Sequence, residues 1–180
     1  SEMRRKKHQI IKKDLYVKTT NVDLQIESLK FPNGFIGNYG SINHPNSSMA
    51  IPITDQGRIL ILKQYRFCLD KYIYEFPSGK IEKEEDALFC MIRELKEEAG
   101  IFASNLNYIG QIYAAPSYSN ELINLFIAKD LKEVYKEKDP DEYIEVIDIS
   151  IKKAELLIEK GEIMDSASIA IFKKAKKFLN

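Results

Sequence analysis

Three glutamates in helical register, Glu94, Glu97 and Glu98, offer the clearest chemistry in this chain. Spaced i, i+3 and i+4, they share one face of a helix. Carboxylates gathered that closely repel one another unless a positive charge stands among them, and a hard divalent cation with oxygen ligands meets that need. Leu88, Ile92, Leu95 and Ala99 recur at helical spacing on another face, an apolar stripe able to anchor the helix to a core. Ala87 and Cys90, two turns and one turn before Glu94, are small, so the acidic face is not walled in by bulk. Taken alone, a Glu/Lys-rich helix is more often a solvated face than a metal site.

The window around it changes the balance. From Gly79 the chain runs five residues to Glu85, seven more to Arg93-Glu94-Leu95, then one to Glu97-Glu98 and one to Gly100-Ile101. A chance match to so many fixed positions is on the order of one in 10^9 per start position. The window resembles the box of the Nudix hydrolases, which cut nucleoside diphosphates linked to another moiety, and every fixed position matches. The resemblance implies Glu94 and Glu98 as the main metal ligands, Glu97 as a further or water-mediated one, and the Ser78 carbonyl as another. Hard carboxylate oxygens favour Mg²⁺, with Mn²⁺ as the alternative, over softer metals. Glu98, Glu97 and Arg93 then carry catalytic roles, Arg93 by orienting the glutamates with Glu85 as the obvious partner. A plain surface salt bridge, worth under about 1 kcal/mol, is the competing account of Arg93. Gly79 and Gly100, where loops meet the helix, are expected to satisfy unusual backbone dihedrals.

The flanks narrow the branch. KQYRF (63–67), YEFPSGKIE (74–82), YAAPSYSNE (113–121) and DEYIEV (141–146) look like the corresponding blocks of ADP-ribose and ADP-sugar pyrophosphatases, in the same order. By that likeness Arg66 contacts the substrate's phosphates, which suits guanidinium geometry. Glu142 matches the loop glutamate that acts as general base, with Asp141 the nearest substitute. Glu75 and Glu121 are candidates for ribose or metal contacts. One departure stands out: the family loop usually reads Ser-Pro-Gly, whereas Ala115-Pro116-Ser117 stands here, which leaves the terminal ribose pocket open. The implied activity is metal-dependent cleavage of ADP-ribose, or a related nucleoside diphosphate sugar, into AMP and ribose 5-phosphate. GDP-mannose and other ADP-linked compounds stay open as substrates. A non-catalytic nucleotide sensor is the rival class, and it predicts decayed box glutamates, which are not seen.

The elements that must position these groups can be read from the same chain. At 180 residues, 44% hydrophobic and 30% charged, it suits one globular domain, or a domain with a small appendage. Lys and Arg balance Asp and Glu at 27 each, so no net field recommends nucleic acid or a membrane as partner. A basic arm from Arg4 to Lys13 has no aromatic interleaving to suit it to nucleic acid. Its start is followed by polar residues, not an apolar core, so no secretory signal is expected. Apolar runs such as Ile59 to Leu62 are too short to span a bilayer. Cys68 and Cys90 have no framework spacing and read as free thiols in a reducing cytoplasm. His8 and His44 are isolated.

Alternating segments predict strands at 14–20, 22–29 and 35–42, then a turn-rich seam at 43–48. MAIPIT (49–54) and RILILKQYRF (58–67) read as a hairpin around Asp55-Gln56-Gly57, and YIYEFPSG (72–79) as one strand. Strands at 106–116, 122–131 and 143–150 follow, with helices at 151–160 and 166–179. The fold class is α+β. The family resemblance adds an α/β/α sandwich on a mixed sheet, with the box as loop-helix-loop. Residues 1–46 form an N-terminal β-rich extension and 47–180 the hydrolase domain. By analogy with relatives, the extension pairs two copies into a homodimer.

Overall fold

Alternating side chains in the first part of the chain do form strands. In this computed structural model, which describes residues 7–135 and 143–179, β1 (Gln9–Lys18), β2 (Asp23–Lys30) and β3 (Ile36–Asn43) make an antiparallel three-stranded sheet with β2 at its centre. The chain divides into two units, and this sheet belongs to the first, Ser1–His44 with Tyr113–Glu121. The second stretch joins the end of β3: Ile42 donates its N–H to the Tyr118 carbonyl at 2.7 Å, and His44 N–H reaches Asn120 Oδ1 at 2.9 Å. Ile10, Leu15, Leu24, Ile26 and Ile36 of this sheet are exposed.

The second unit, Pro45–Ile112 with Leu122–Asn180, holds two sheets. β4 (Ser47–Pro52) lies parallel to β9 (Leu122–Glu133) and antiparallel to β7 (Ser78–Lys80), with β8 (Ile101–Tyr113) beyond β9, so this sheet is mixed. β5 (Ile59–Arg66) pairs antiparallel with β6 (Lys71–Glu75) and with β10 (Ile144–Ile149). Helix α1 (Ala87–Ala99) packs on β4 and β7, and α3 (Ser166–Ala175) also packs on β4. Every residue of β4 is buried, as expected of a central strand covered on both faces. Helix α2 (Ile151–Glu159) lies between β10 and α3 in the chain. Among the described residues no helix is long and apolar enough to cross a membrane.

Four details depart from the sequence reading. The expected hairpin of 49–54 and 58–67 is reduced to one antiparallel bridge, Ile53 to Ile59, and its arms enter different sheets. Pro52 lacks an N–H, and the N–H of Ile53 goes to Ala128 of β9 at 2.8 Å, so β4 is already engaged elsewhere. The segment 72–79 is two strands, because after Glu75 the chain leaves the β5 ladder and rejoins β4 only at Ser78. The last helix stops at Ala175 and tightens into a 3₁₀ turn over Lys176–Phe178. Ser47 and Ser48, read as part of a turn-rich seam, are buried in β4.

Helix α1 begins where its sequence allows capping. The Asp86 carboxylate accepts the Phe89 N–H at 2.8 Å, and Gly100 ends the helix at φ 63° in the left-handed region, returning its N–H to Leu95 and Lys96. Its inward face is rotated from the expected stripe. Cys90, Met91, Leu95 and Glu98 are buried, whereas Leu88 is exposed. The rotation follows what the strands offer the helix: the Ser48 hydroxyl donates to the Ala87 carbonyl at 2.7 Å, and the Ser78 N–H donates to Glu98 at 3.0 Å. Met91 and Leu95 then enter a cluster with Ala50, Ile101, Ala103, Phe126 and Ala128. Leu95→Ala is expected to lower stability by about 3 kcal/mol, since a fully buried leucine leaves a cavity in a two-sided contact. Urea unfolding checks this, and a loss below about 1 kcal/mol would show that the cluster can collapse around the gap.

Candidate active site

Three side chains of α1 meet three consecutive residues of β7. Glu98 Oε1 accepts the Ser78 N–H at 3.0 Å, the Cys90 thiol lies 3.5 Å from the Gly79 carbonyl, and Arg93 Nη2 donates to the Lys80 carbonyl at 2.9 Å. Between them the Glu94 carboxyl rests directly on Gly79. A Cβ added to Gly79 would fall 1.9 Å from both Cδ and Oε1 of Glu94. Gly79 is not among the glycines at positive φ, so close approach rather than an unusual dihedral accounts for it. Gly100 does meet the dihedral expectation.

Arg93 sits among the acids. Nε and Nη2 hold the two oxygens of Glu85 at 2.8 and 2.9 Å, while Nη1 donates to Glu94 at 2.6 Å and to Glu97 at 3.1 Å. A bidentate, mostly shielded pair of this kind is stronger than a surface bridge. It holds the Glu85 carboxyl down from an ordinary value of 4.5 to about 2, and raises the Arg93 guanidinium further. The stability contributed by Glu85 is therefore present above pH 4.5 and is lost only as pH falls toward about 2. Glu94 moves the other way: burial pushes its carboxyl up, against the pull of Arg93.

Of the three box glutamates, Glu98 is buried at 4% exposure and Glu97 stands out at 52%. Glu98 is a neighbour of Glu94 on the same face and helps hold the Glu94 carboxyl down against the effect of burial. Like charges so placed are eased by a proton or a cation between them. Among the described residues no group of three or more His, Cys, Asp and Glu side chains is gathered as a ready cation site. Two adjacent carboxylates beside main-chain oxygens nevertheless suit a hard cation such as Mg²⁺, which keeps several waters and takes one or two protein carboxylates. The donor set thus fits a divalent metal.

The other expected site residues fall in three places. Arg66 and Glu75 are bonded to each other across β5 and β6, with Nε and Nη2 of the arginine 2.9 and 2.8 Å from the same Glu75 oxygen. Glu75 is buried, which pushes its carboxyl up against the lowering influence of Arg66. Glu121 lies in the first unit, 3.7 Å from His44 Nδ1, so that histidine is not isolated. Glu142 and its substitute Asp141 lie outside the described residues. Sequence reasoning missed Ser48 and the contact of Cys90 with β7. Ser48 ends a polar stretch that reads as a turn, and its place opposite Gly79 arises from the β4–β7 pairing, so no local signal marked it.

Comparison with known proteins bears on this arrangement. The NUDIX domain family matches residues 43–167. The chain is 35% identical over 147 residues to an ADP-ribose pyrophosphatase of Bacillus subtilis, covering 81% of this chain and 80% of that one. It is 33% identical over 150 residues to a methanol dehydrogenase activator of Bacillus methanolicus, covering 82% and 81%. A crystal structure of an ADP compounds hydrolase superposes with a TM-score of 0.85 at 23% identity, over 97% of this chain and 95% of that chain, a likeness of fold.

The site also makes a thiol prediction. Burial pushes the Cys90 thiol up to about 12, and its place under α1 shields it, whereas Cys68 is exposed. An aromatic disulfide reagent at pH 8 is expected to modify one thiol per native chain quickly, at Cys68, and the second only after unfolding. Equal rates for both in the native protein would show that α1 lifts readily from β7.

Proposed function

The chain belongs to the NUDIX family and is a Nudix hydrolase, and from that premise we propose that it splits ADP-ribose with water into AMP and ribose 5-phosphate. The observation that carries this reading is the Glu94 carboxyl resting on Gly79 and braced by Arg93, with Glu98 held on the adjacent Ser78 N–H. The substrate follows the name of the Bacillus subtilis relative, to which the chain is 35% identical across four fifths of that relative's length. A divalent cation, Mg²⁺ or Mn²⁺, bound to Glu94, Glu98 and the Ser78 carbonyl would screen the phosphate oxygens and make water a better nucleophile.

The remaining tasks fall to the chain itself. Arg93, fixed by Glu85, holds Glu94 and Glu97 at set distances and keeps their negative charge tolerable. Glu98 is tied to the Ser78 N–H, so its second oxygen has a defined place. Glu97, half exposed, suits a water-mediated contact. Arg66 would receive the diphosphate, and its bond to buried Glu75, which would orient it, supports that reading. Glu142 serves as base for the attacking water and Glu121 meets the ribose, both on the strength of the motif resemblance. We further infer a homodimer built on the β1–β3 sheet, since its exposed isoleucines and leucines suit a partner surface. Two free cysteines, one exposed, suit a cytoplasmic setting.

With ADP-ribose and Mg²⁺, equal amounts of AMP and ribose 5-phosphate are expected by anion-exchange chromatography. EDTA should abolish the reaction and excess Mg²⁺ restore it; turnover that persists in EDTA, or preference for GDP-mannose, would reject the assignment. Gly79→Ala forces the Glu94 carboxyl aside, and a misplacement of this size is expected to cost about 10²-fold in turnover. Its melting temperature should fall as well, because the added Cβ also meets Glu94 Cγ at 2.5 Å and the displaced carboxyl is bonded to Arg93. Full activity in that variant would remove Glu94 from the site.

A further inference from the structure

Five consecutive residues, Glu75 to Gly79, link the Arg66 anchor to the acid pair, and each is fixed by a different neighbour. Glu75 holds Arg66, the Pro77 carbonyl accepts the Ala50 N–H at 3.0 Å, the Ser78 N–H goes to Glu98, and Gly79 lies under Glu94. Phe76 stands where the chain passes between sheets. The β5 ladder ends at Glu75 and the β4 ladder begins at Ser78, so its buried N–H has no strand partner. Its partner is a side chain 92 positions later: the N–H donates to Ser168 Oγ at 3.0 Å. Ser168 is fully buried on the first turn of α3, and its hydroxyl donates to Asp165 Oδ2 at 2.6 Å. Donation to Asp165 turns a lone pair of Ser168 toward Phe76. Asp165 also accepts the Ser168 N–H at 2.9 Å, so one carboxylate caps the helix and orients the hydroxyl.

We propose that Ser168 is a positioning residue: it clamps the strand crossing at Phe76 and so sets where Arg66, through Glu75, stands relative to Ser78, Gly79 and the acid pair. Pro77 strengthens the clamp's reach, since a proline with fixed φ transmits a shift at Phe76 directly to Ser78. The kinetic consequence rests on the hydrolysis proposed above, whereas the clamp itself is measurable without substrate.

The test is Ser168→Ala in the full chain, followed by steady-state kinetics with ADP-ribose and by amide hydrogen exchange. A merely structural role lowers the active fraction, and with it kcat at unchanged KM. A positioning role shifts Arg66 and is expected to raise KM about fivefold or more. Exchange at the Phe76, Ser78 and Gly79 amides should rise at least about tenfold, with α1 protection unchanged. Unchanged KM, unchanged exchange at Phe76, or uniform loss of protection through α1 would each overturn the proposal. If Ser168→Ala does not fold, Asp165→Ala keeps the hydroxyl but releases its orientation; apart from the first turn of α3, which loses its cap, faster exchange at Phe76, Ser78 and Gly79 with α1 unchanged supports the clamp, and an unaltered rate there overturns it. Should the parent protein leave ADP-ribose intact, the assigned reaction fails on its own, and the exchange measurement alone decides the clamp.

Discussion

One guanidinium makes the acidic face of α1 compatible with packing. Arg93 contacts Glu85, Glu94 and Glu97 within 3.1 Å and has Glu82 at 3.9 Å, while its remaining donor direction ends on the Lys80 carbonyl. Without that charge, Glu94 would be pressed against a strand with repelling neighbours and no compensation. With it, the helix can turn its acids toward β7 and still bury Met91 and Leu95 in the core. The same helix face therefore serves packing and chemistry at once, and its rotation is common to both.

That double use explains what was legible in the sequence. The box residues are close in the chain and their spacing is fixed by helix geometry, so their gathering could be read from Gly79 to Ile101. The class of fold followed from strands flanking one helix, and the mixed sheet is present in β7-β4-β9-β8. The rotation of α1 was not legible, because Leu88/Ile92/Leu95/Ala99 and Met91/Leu95 both make acceptable apolar stripes, with Leu95 common to the two. Contacts made across the sheet, from Ser48 to Ala87 and from Ser78 to Glu98, select between them. The shortened hairpin has a similar origin. The expected turn at Asp55–Gly57 forms, with the Gly57 N–H on the Thr54 carbonyl at 2.9 Å, yet β9 takes the edge of β4 and no nearby residue announces it.

Gly79 shows how one residue type can satisfy two different demands. A glycine before a helix suggests a dihedral requirement, and Gly100 bears that out at φ 63°. Gly79 instead provides room, so that a carboxyl can lie on the main chain where a side chain would stand. Both kinds of need look identical in a sequence, and only the neighbour's position separates them.

The strand pairing carries a consequence for how the molecule comes into being. β4 aligns with β9 through partners such as Ser47 and Ile123, 123 − 47 = 76 positions apart, and the Phe76 amide finds Ser168 over a gap of 92. Long loops of that kind close late, after local helices and turns have formed. On the ribosome, the helix bearing the acids can coil early, but the platform beneath it waits for β9 to emerge. A nascent molecule thus has its reactive side chains in hand well before it has anywhere to mount them.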